Sequence, residues 1–219
     1  LANLRLSKVR PFIKKEENFS FINKINNIFE DFIKAFSSSS FVFLMVGISS
    51  YLAFTIIFLT YIPLWLQEGG MSKENLAYFL TLMSAVNFIL FLSINKISKF
   101  INIKLFFISS PLVITLLLFM MSFVTNIYWL AFYFFIINNL NVFFYPIAGS
   151  LVNNLIENDS RASIFSVIPF IQSFLIIILA PTFGYLMKTF SNSEMTFFMA
   201  IYLSFSLLLL IIFLFRSKK

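Results

Sequence analysis

Five side-chain amides stand inside long apolar stretches of this 219-residue sequence, where a polar group must find a partner. They are Asn87, Asn138, Asn139, Asn141 and Gln172. An uncharged amide donates and accepts hydrogen bonds, so it can hold a solute or bond a neighbouring helix. Leaving it unpaired in hydrocarbon costs several kcal/mol, so these residues mark surfaces that face protein or a water-filled cavity. Asn139 points away from the face shared by Asn138 and Asn141, which favours a packing role.

The side chains of most catalytic centres are missing from the chain. There is no His and no Cys, which excludes the usual zinc and haem sites, Ser–His and Cys–His hydrolases, and disulfides. No Asp, Glu, Lys or Arg lies in the interior of a long apolar stretch, so proton coupling through a buried carboxylate is not expected from these residues. We therefore expect a protein that is not an enzyme and that holds no metal or cofactor.

The composition is that of a membrane protein. Hydrophobic residues make up 60% of the chain, aromatic residues 20% and charged residues 11%, whereas an ordinary soluble domain is about 25% charged. A single core in a chain of this length could not hide so much Phe, Leu and Ile from water. Lipid is the solvent that such a surface requires.

Six apolar stretches are long enough to cross roughly 30 Å of hydrocarbon as helices. The predicted spans are 41–66, 76–94, 105–123, 127–152, 164–186 and 195–215. The predicted fold class is an all-α membrane protein whose transmembrane domain covers residues 41–219. Spans one, three and six contain no amides, but span one carries Tyr51, Thr55, Thr60 and Tyr61. We therefore expect spans three and six to face lipid, while the other four face protein or a cavity.

The basic residues predict the orientation of these spans. All of the 16 Lys and Arg except Lys73 and Lys188 lie on one side of the membrane if both termini are cytoplasmic, as positive-inside placement requires. We therefore read them as orientation signals and lipid contacts, and expect no nucleic-acid partner. Residues 1–40 are a predicted cytoplasmic linker. Its segment 21–36 has the apolar periodicity of an amphipathic interfacial helix, and the alternative is a solvated linker with accidental periodicity.

A motif lies between the fourth and fifth predicted spans. Residues 152–167 contain an Asn, an apolar pair, a short acidic stretch, and then the motif residues Arg161, Ala162, Ser163 and Ser166. This segment resembles the loop between the tenth and eleventh helices of Major Facilitator Superfamily transporters, with Ser163 where Thr is commoner.

Two further segments are similar to the same family. Residues 180–184 read Ala-Pro-Thr-Phe-Gly, like a small-Pro-x-x-Gly pattern of the eleventh helix, and residues 63–72 resemble the end of the seventh helix. Residues 95–100 keep basic side chains but lack the Gly, Asp and Arg pattern of the corresponding family loop. The resemblance covers about residues 15–219 and implies the C-terminal six-helix half together with the central linker.

The family resemblance implies a function. The chain would be the C-terminal half of a secondary active transporter that moves a small solute or drug by alternating access. Its partners would be membrane lipids, an N-terminal six-helix half and a small-molecule substrate, in a bacterial cytoplasmic membrane. We expect the chain to be a fragment of a longer polypeptide, and the alternative is a truncated or structural six-span protein without transport activity.

Particular residues take roles under this hypothesis. The four amides other than Asn139 would line the cavity, and Arg161 would stabilise a cytoplasmic gate or serve as a positive-inside anchor. Tyr51 and Tyr145 could line a ligand path or lie at the membrane interface. Helix loosening or close helix packing is expected at Pro146, Gly149, Pro181 and Gly184.

Overall fold

The computed structural model describes residues 39–97, 102–155 and 161–216. Within these ranges the chain is helical throughout, apart from short turns. The helices are α1 (Ser39–Glu68), α2 (Lys73–Ile97), α3 (Ile103–Met121), α4 (Ile127–Leu155), α5 (Arg161–Thr189) and α6 (Asn192–Arg216). The predicted all-α fold is confirmed, because each predicted span overlaps one helix. The predicted amphipathic helix at 21–36 lies outside the described residues.

Five of the six described helices are long and apolar enough to cross a membrane. The exception is α3, whose apolar part, Leu105–Met121, is shorter. It ends before the predicted boundary because the backbone N–H groups of Phe123 and Val124 donate to carbonyls three residues earlier, at 3.2 and 3.1 Å, which turns the chain. The 19 residues of α3 extend over roughly 28 Å, close to the hydrocarbon thickness.

Hydrogen-bonded caps mark the end of α1 and the start of α6. After α1, Gly70 adopts a φ of 96°, donates to the Gln67 carbonyl at 3.0 Å, and is followed by Met71, which donates five residues back at 2.9 Å. This is a Schellman motif, which requires the left-handed conformation that glycine tolerates. Before α6, the Ser191 N–H donates to Glu194 Oε2 at 2.8 Å, and the Glu194 N–H donates to Ser191 Oγ at 3.4 Å, forming a capping box.

The helix at the centre of the bundle is α1, which packs against α4, α5 and α6. Small residues in its first half allow the neighbouring backbones to approach. Ser206 Oγ on α6 donates to the Gly47 carbonyl at 2.9 Å. Ser49 Oγ donates to the Ile168 carbonyl on α5 at 3.0 Å. These bonds tie α5 and α6 to the central helix.

An aromatic seam joins α1 to α4. Phe134 on α4 packs its ring against Phe58 and Trp65 of α1, with centroid distances of 5.2 and 5.8 Å. Further along the same pair of helices, Tyr51 stacks on Phe144 at 3.7 Å. All five side chains are fully buried, so the seam fixes the register of α4 against the central helix.

The buried faces of the helices do not follow the expectation that spans three and six face only lipid. About 44% of the most apolar stretch of α6 is buried inside the protein, against 6% for α2. One face of α6 packs on α1 and α3, with Leu203 and Leu210 buried, while Ile201 and Phe205 on the other face are exposed. An apolar side chain serves equally well against lipid and against protein, which is why composition alone did not separate these two environments.

Candidate functional site

A groove of about 490 Å³ opens between α2 and α4. The groove is wide open on one side rather than enclosed. Two of the four amides predicted to line a cavity, Asn87 on α2 and Asn141 on α4, lie in its walls, and no charged side chain of the described residues lines it. The lining consists of Ser84, Asn87, Phe88, Phe91, Asn141, Val142, Tyr145 and Pro146.

Two side chains of α1 contact the amide oxygen of Asn141. The Tyr51 hydroxyl donates to Asn141 Oδ1 in a short hydrogen bond. Thr55 Oγ1 lies 3.4 Å from the same oxygen and 3.1 Å from the Tyr51 carbonyl, one turn back on its own helix. Since Tyr51 is fully buried and stacked on Phe144, its hydroxyl has a fixed position. The oxygen end of the Asn141 amide is therefore directed at α1.

Several amide atoms near the groove are buried without a hydrogen-bond partner among the described residues. They include Asn87 Oδ1, Asn138 Nδ2 and Asn141 Nδ2. Buried polar groups are almost always paired, and an unpaired one costs free energy. Asn87 Oδ1 and Asn141 Nδ2 are therefore unsatisfied atoms that lie behind the groove surface, on α2 and α4. Asn138 is also buried but does not line the groove.

Asn139 differs from its two neighbours on α4. Its Nδ2 donates to the Phe135 carbonyl of the same helix at 2.7 Å, and it does not line the groove. Its Oδ1 is buried without a partner among the residues described. The packing role expected for Asn139 stays a prediction, and the residue provides a matched control for Asn141.

Pro146 leaves one backbone carbonyl in the groove wall without its helical hydrogen bond. Proline has no N–H, so the carbonyl of Val142, four residues earlier, receives no helical hydrogen bond from it. Both residues lie in the groove wall. Gly149 follows nearly one turn later, and a Cβ added there would meet its nearest neighbour, Phe165, only at 4.0 Å. There is therefore open space beside α4 at Gly149.

A second cavity, of about 80 Å³, lies between α1, α4 and α5. Gln172 lines it together with Pro169 and Gly149, and Tyr145 borders both this cavity and the groove. Asn87 and Asn141 thus line the same groove, whereas Gln172 lines the second cavity. Tyr145 lies between the two.

The motif residues of the fourth connection lie at the start of α5. Arg161, Ala162 and Ser163 form its first turn, and the positions of their side chains lie outside what the structure describes. Ser166 follows on the same helix and is exposed. The gating role expected for Arg161 therefore stays a prediction.

Two small residues of α5, Ala180 and Gly184, lie against α1. Tyr61 of α1 donates from its hydroxyl to the Ala180 carbonyl at 3.0 Å. A Cβ added at Gly184 would lie 3.1 Å from the same hydroxyl oxygen. Pro181, between them in sequence, is exposed. Ala180 and Gly184 therefore leave the room that Tyr61 occupies.

Tyr51 and Thr55 are the functional residues that the sequence argument did not connect to an amide. Both are polar side chains one turn apart in the first apolar span. That spacing places two hydroxyl groups on one helix face, which is a signal for a polar partner across the interface. The identity of the partner, Asn141, depends on how α1 and α4 pack.

Comparison with known proteins agrees with this architecture. No curated protein matches the chain significantly. The family model of the Major Facilitator Superfamily matches residues 5–181, which include all of α1–α4 and most of α5. This match covers well over half of an all-helical, strongly apolar chain, and the protein therefore belongs to the Major Facilitator Superfamily and is a multi-pass membrane transporter of that family.

Proposed function

We propose that the chain is the C-terminal half of a secondary active transporter that moves a small solute or drug across the membrane by alternating access. The observation that carries this proposal is the groove between α2 and α4, where two amides lie in an uncharged, mainly apolar wall. Such a site binds a solute through a few placed polar groups and a larger apolar contact. Neighbouring helices that rock about the site would expose it alternately to the two sides.

An N-terminal six-helix half would supply the second wall of the transport path. The apolar faces of α2 and α5 support this partner, since Phe88 and Phe91 on α2 and Phe170, Phe174 and Ile177 on α5 are all exposed. Lipid could cover such faces, but the groove with its amides opens beside them. No ionisable side chain lies in the interior of the apolar spans, so groups that couple transport to an ion gradient would belong to the other half.

The orientation and the gate complete the proposal. Both termini would be cytoplasmic, in a bacterial cytoplasmic membrane, because that arrangement leaves only Lys73 and Lys188 on the outer side. Arg161, at the first residue of α5, would then lie on the cytoplasmic side. There it could hydrogen-bond carboxylates or helix-end carbonyls that separate during the transport cycle.

A transport assay on the full-length protein in proteoliposomes tests the proposal. A panel of small neutral, anionic and cationic solutes is screened for movement, and any transported solute is then tested with Asn141→Leu and Asn139→Leu. We expect Asn141→Leu to lower the transport rate severalfold and Asn139→Leu to leave it near the native rate. A native protein that moves no solute would favour the structural six-span alternative, whereas equal rates in both variants would show that Asn141 does not serve transport.

A further inference from the structure

One side chain borders both the groove and the second cavity. Among the described residues, Tyr145 is the one that lines the two spaces. Asn141 lies in the groove wall and Gly149 in the cavity wall, and the three residues follow at intervals of four along one face of α4. The groove, the Tyr145 ring and the cavity therefore lie in sequence along roughly 12 Å of the helix.

The Tyr145 side chain is not fixed in the way that Tyr51 is. Tyr51 is buried, stacked on Phe144 and hydrogen-bonded to Asn141. The Tyr145 side chain is 66% exposed, and no hydrogen bond or ring contact holds it within the described part of the chain. Exposed side chains change rotamer within nanoseconds, so this ring can turn aside while the helices stay packed.

The cavity suits an uncharged apolar group. Its lining contains no charged side chain, and Gln172 is its one amide. Ile48, Ala148 and Ile168 in its wall are buried, and a charged group beside them would lose hydration without gaining a counter-charge. An apolar cavity of about 150 Å³ can hold benzene or xenon. With about 80 Å³, this cavity holds a smaller substituent.

Tyr145 is thus placed to select solutes by size, a role that rests on the proposed transport function. We propose that the cavity is an apolar subsite for one substituent of a solute bound in the groove, and that the Tyr145 ring limits the size of the substituent that enters. A small uncharged group passes when the ring turns aside, whereas an aromatic group stays in the groove. A small side chain at this position would join the two spaces.

Introduced cysteines measure access to the cavity with probes of known size. Gly149→Cys places a thiol in the cavity wall, where a Cβ would have its nearest neighbour, Phe165, at 4.0 Å. Ser84→Cys places a thiol in the groove wall. Each is made in the full-length protein in lipid nanodiscs, with any cysteine outside this chain replaced. Mass spectrometry follows modification by propyl, benzyl and 2-sulfonatoethyl methanethiosulfonate. The ratio of two rates at one cysteine cancels the reactivity of that thiol.

The ratios at Gly149→Cys are compared with those at Ser84→Cys. Relative to the groove position, the benzyl reagent should react roughly tenfold more slowly than the propyl reagent, because a group too large for its space costs free energy. The anionic reagent should also be slow at Gly149→Cys, because the cavity offers no counter-charge.

Variants of Tyr145 assign the size limit to its ring. Tyr145→Ala should bring the benzyl-to-propyl ratio at Gly149→Cys close to the groove value and leave the anion slow. Tyr145→Trp should lower the same ratio further, so the test does not depend on one variant. Tyr185→Ala is the matched control, since Tyr185 is also exposed, by 69%, and lines neither space. It should leave every ratio unchanged.

Four results would overturn the subsite. They are a benzyl-to-propyl ratio that Tyr145→Ala leaves unchanged, an equal effect of Tyr185→Ala, fast reaction of the anion at Gly149→Cys, and no reaction there with any reagent. The labelling does not require transport, so the two proposals fail separately. Transport with an unchanged ratio would reject the subsite alone, whereas the size effect in a protein that moves no solute would reject the transport function and leave the size limit standing.

Discussion

Tyr51 donates a hydrogen bond to the amide oxygen of Asn141, a residue of the groove wall, although Tyr51 does not itself line the groove. Its ring stacks on Phe144, and its hydroxyl makes the hydrogen bond to Asn141. Removing that hydroxyl would keep the ring packing and would free the Asn141 amide to rotate. Tyr51 is therefore a positioning residue for the groove.

The first prediction concerns Tyr51→Phe. Folding should be nearly unaffected, because an interhelical hydrogen bond in a membrane protein contributes about 0.6 kcal/mol on average. The KM of a transported solute should rise severalfold with a smaller change in kcat, since the amide is less well positioned for binding. Thr60→Val is the control, because the Thr60 hydroxyl is exposed and bonds only the Ile56 carbonyl of its own helix, at 2.8 Å. An unchanged KM in Tyr51→Phe would contradict the positioning role.

Arg161 provides a second prediction at the scale of single residues. Arg161→Ala should slow transport severalfold while the amount of protein inserted in the membrane stays close to native. Lys96→Ala is the matched control, since it removes a basic residue from the same predicted side, at the end of α2. Transport and membrane insertion are measured together. Equal transport by both variants would show that Arg161 is only an orientation signal.

At the scale of helices, hydropathy predicted where each element lies but not how deeply it packs. Apolar runs and polar turns were sufficient to place all six described helices. Most helix ends extend one to three residues beyond the predicted spans, and only α3 ends before its predicted boundary. The central position of α1 and the buried face of α6 were not predictable, because Leu, Ile and Phe look alike whether they contact lipid or protein. Amides were informative for the opposite reason. A polar group needs a partner, and that requirement led to two of the groove residues, Asn87 and Asn141.

The close approach of α1 and α6 gives a prediction at this scale. Gly47→Ala and Gly149→Ala both gain helix propensity, up to about 1 kcal/mol. A Cβ at Gly47 would lie 2.7 Å from Leu210 Cδ2, whereas a Cβ at Gly149 has its nearest neighbour at 4.0 Å. Gly47→Ala should therefore have the lower Tm, by about 2–4 °C for each kcal/mol of strain. Equal Tm values in detergent would show that Leu210 moves aside without cost.

At the scale of the whole molecule, the number of helices that cross the membrane determines on which side each helix end lies. The chain contains no cysteine, so single cysteines can be introduced without a background within it. Glu74→Cys, at the start of α2, should react with a membrane-impermeant maleimide in intact cells. Ser217→Cys, just after α6, should react only after permeabilisation. Labelling of both from outside would mean that one helix fails to cross, and α3 would be the first to suspect because its apolar part is the shortest.

The central claim is that the groove between α2 and α4 opens alternately to the two sides of the membrane. The most direct test is Ser84→Cys, because Ser84 is exposed in the groove wall. The full-length protein, with any cysteine outside this chain replaced, is labelled by an impermeant maleimide in right-side-out and in inside-out vesicles. Ile201→Cys, on the exposed apolar face of α6, is the control that should react in neither. Alternating access predicts that Ser84→Cys reacts from both sides, and reaction from one side only, or from neither, would contradict it.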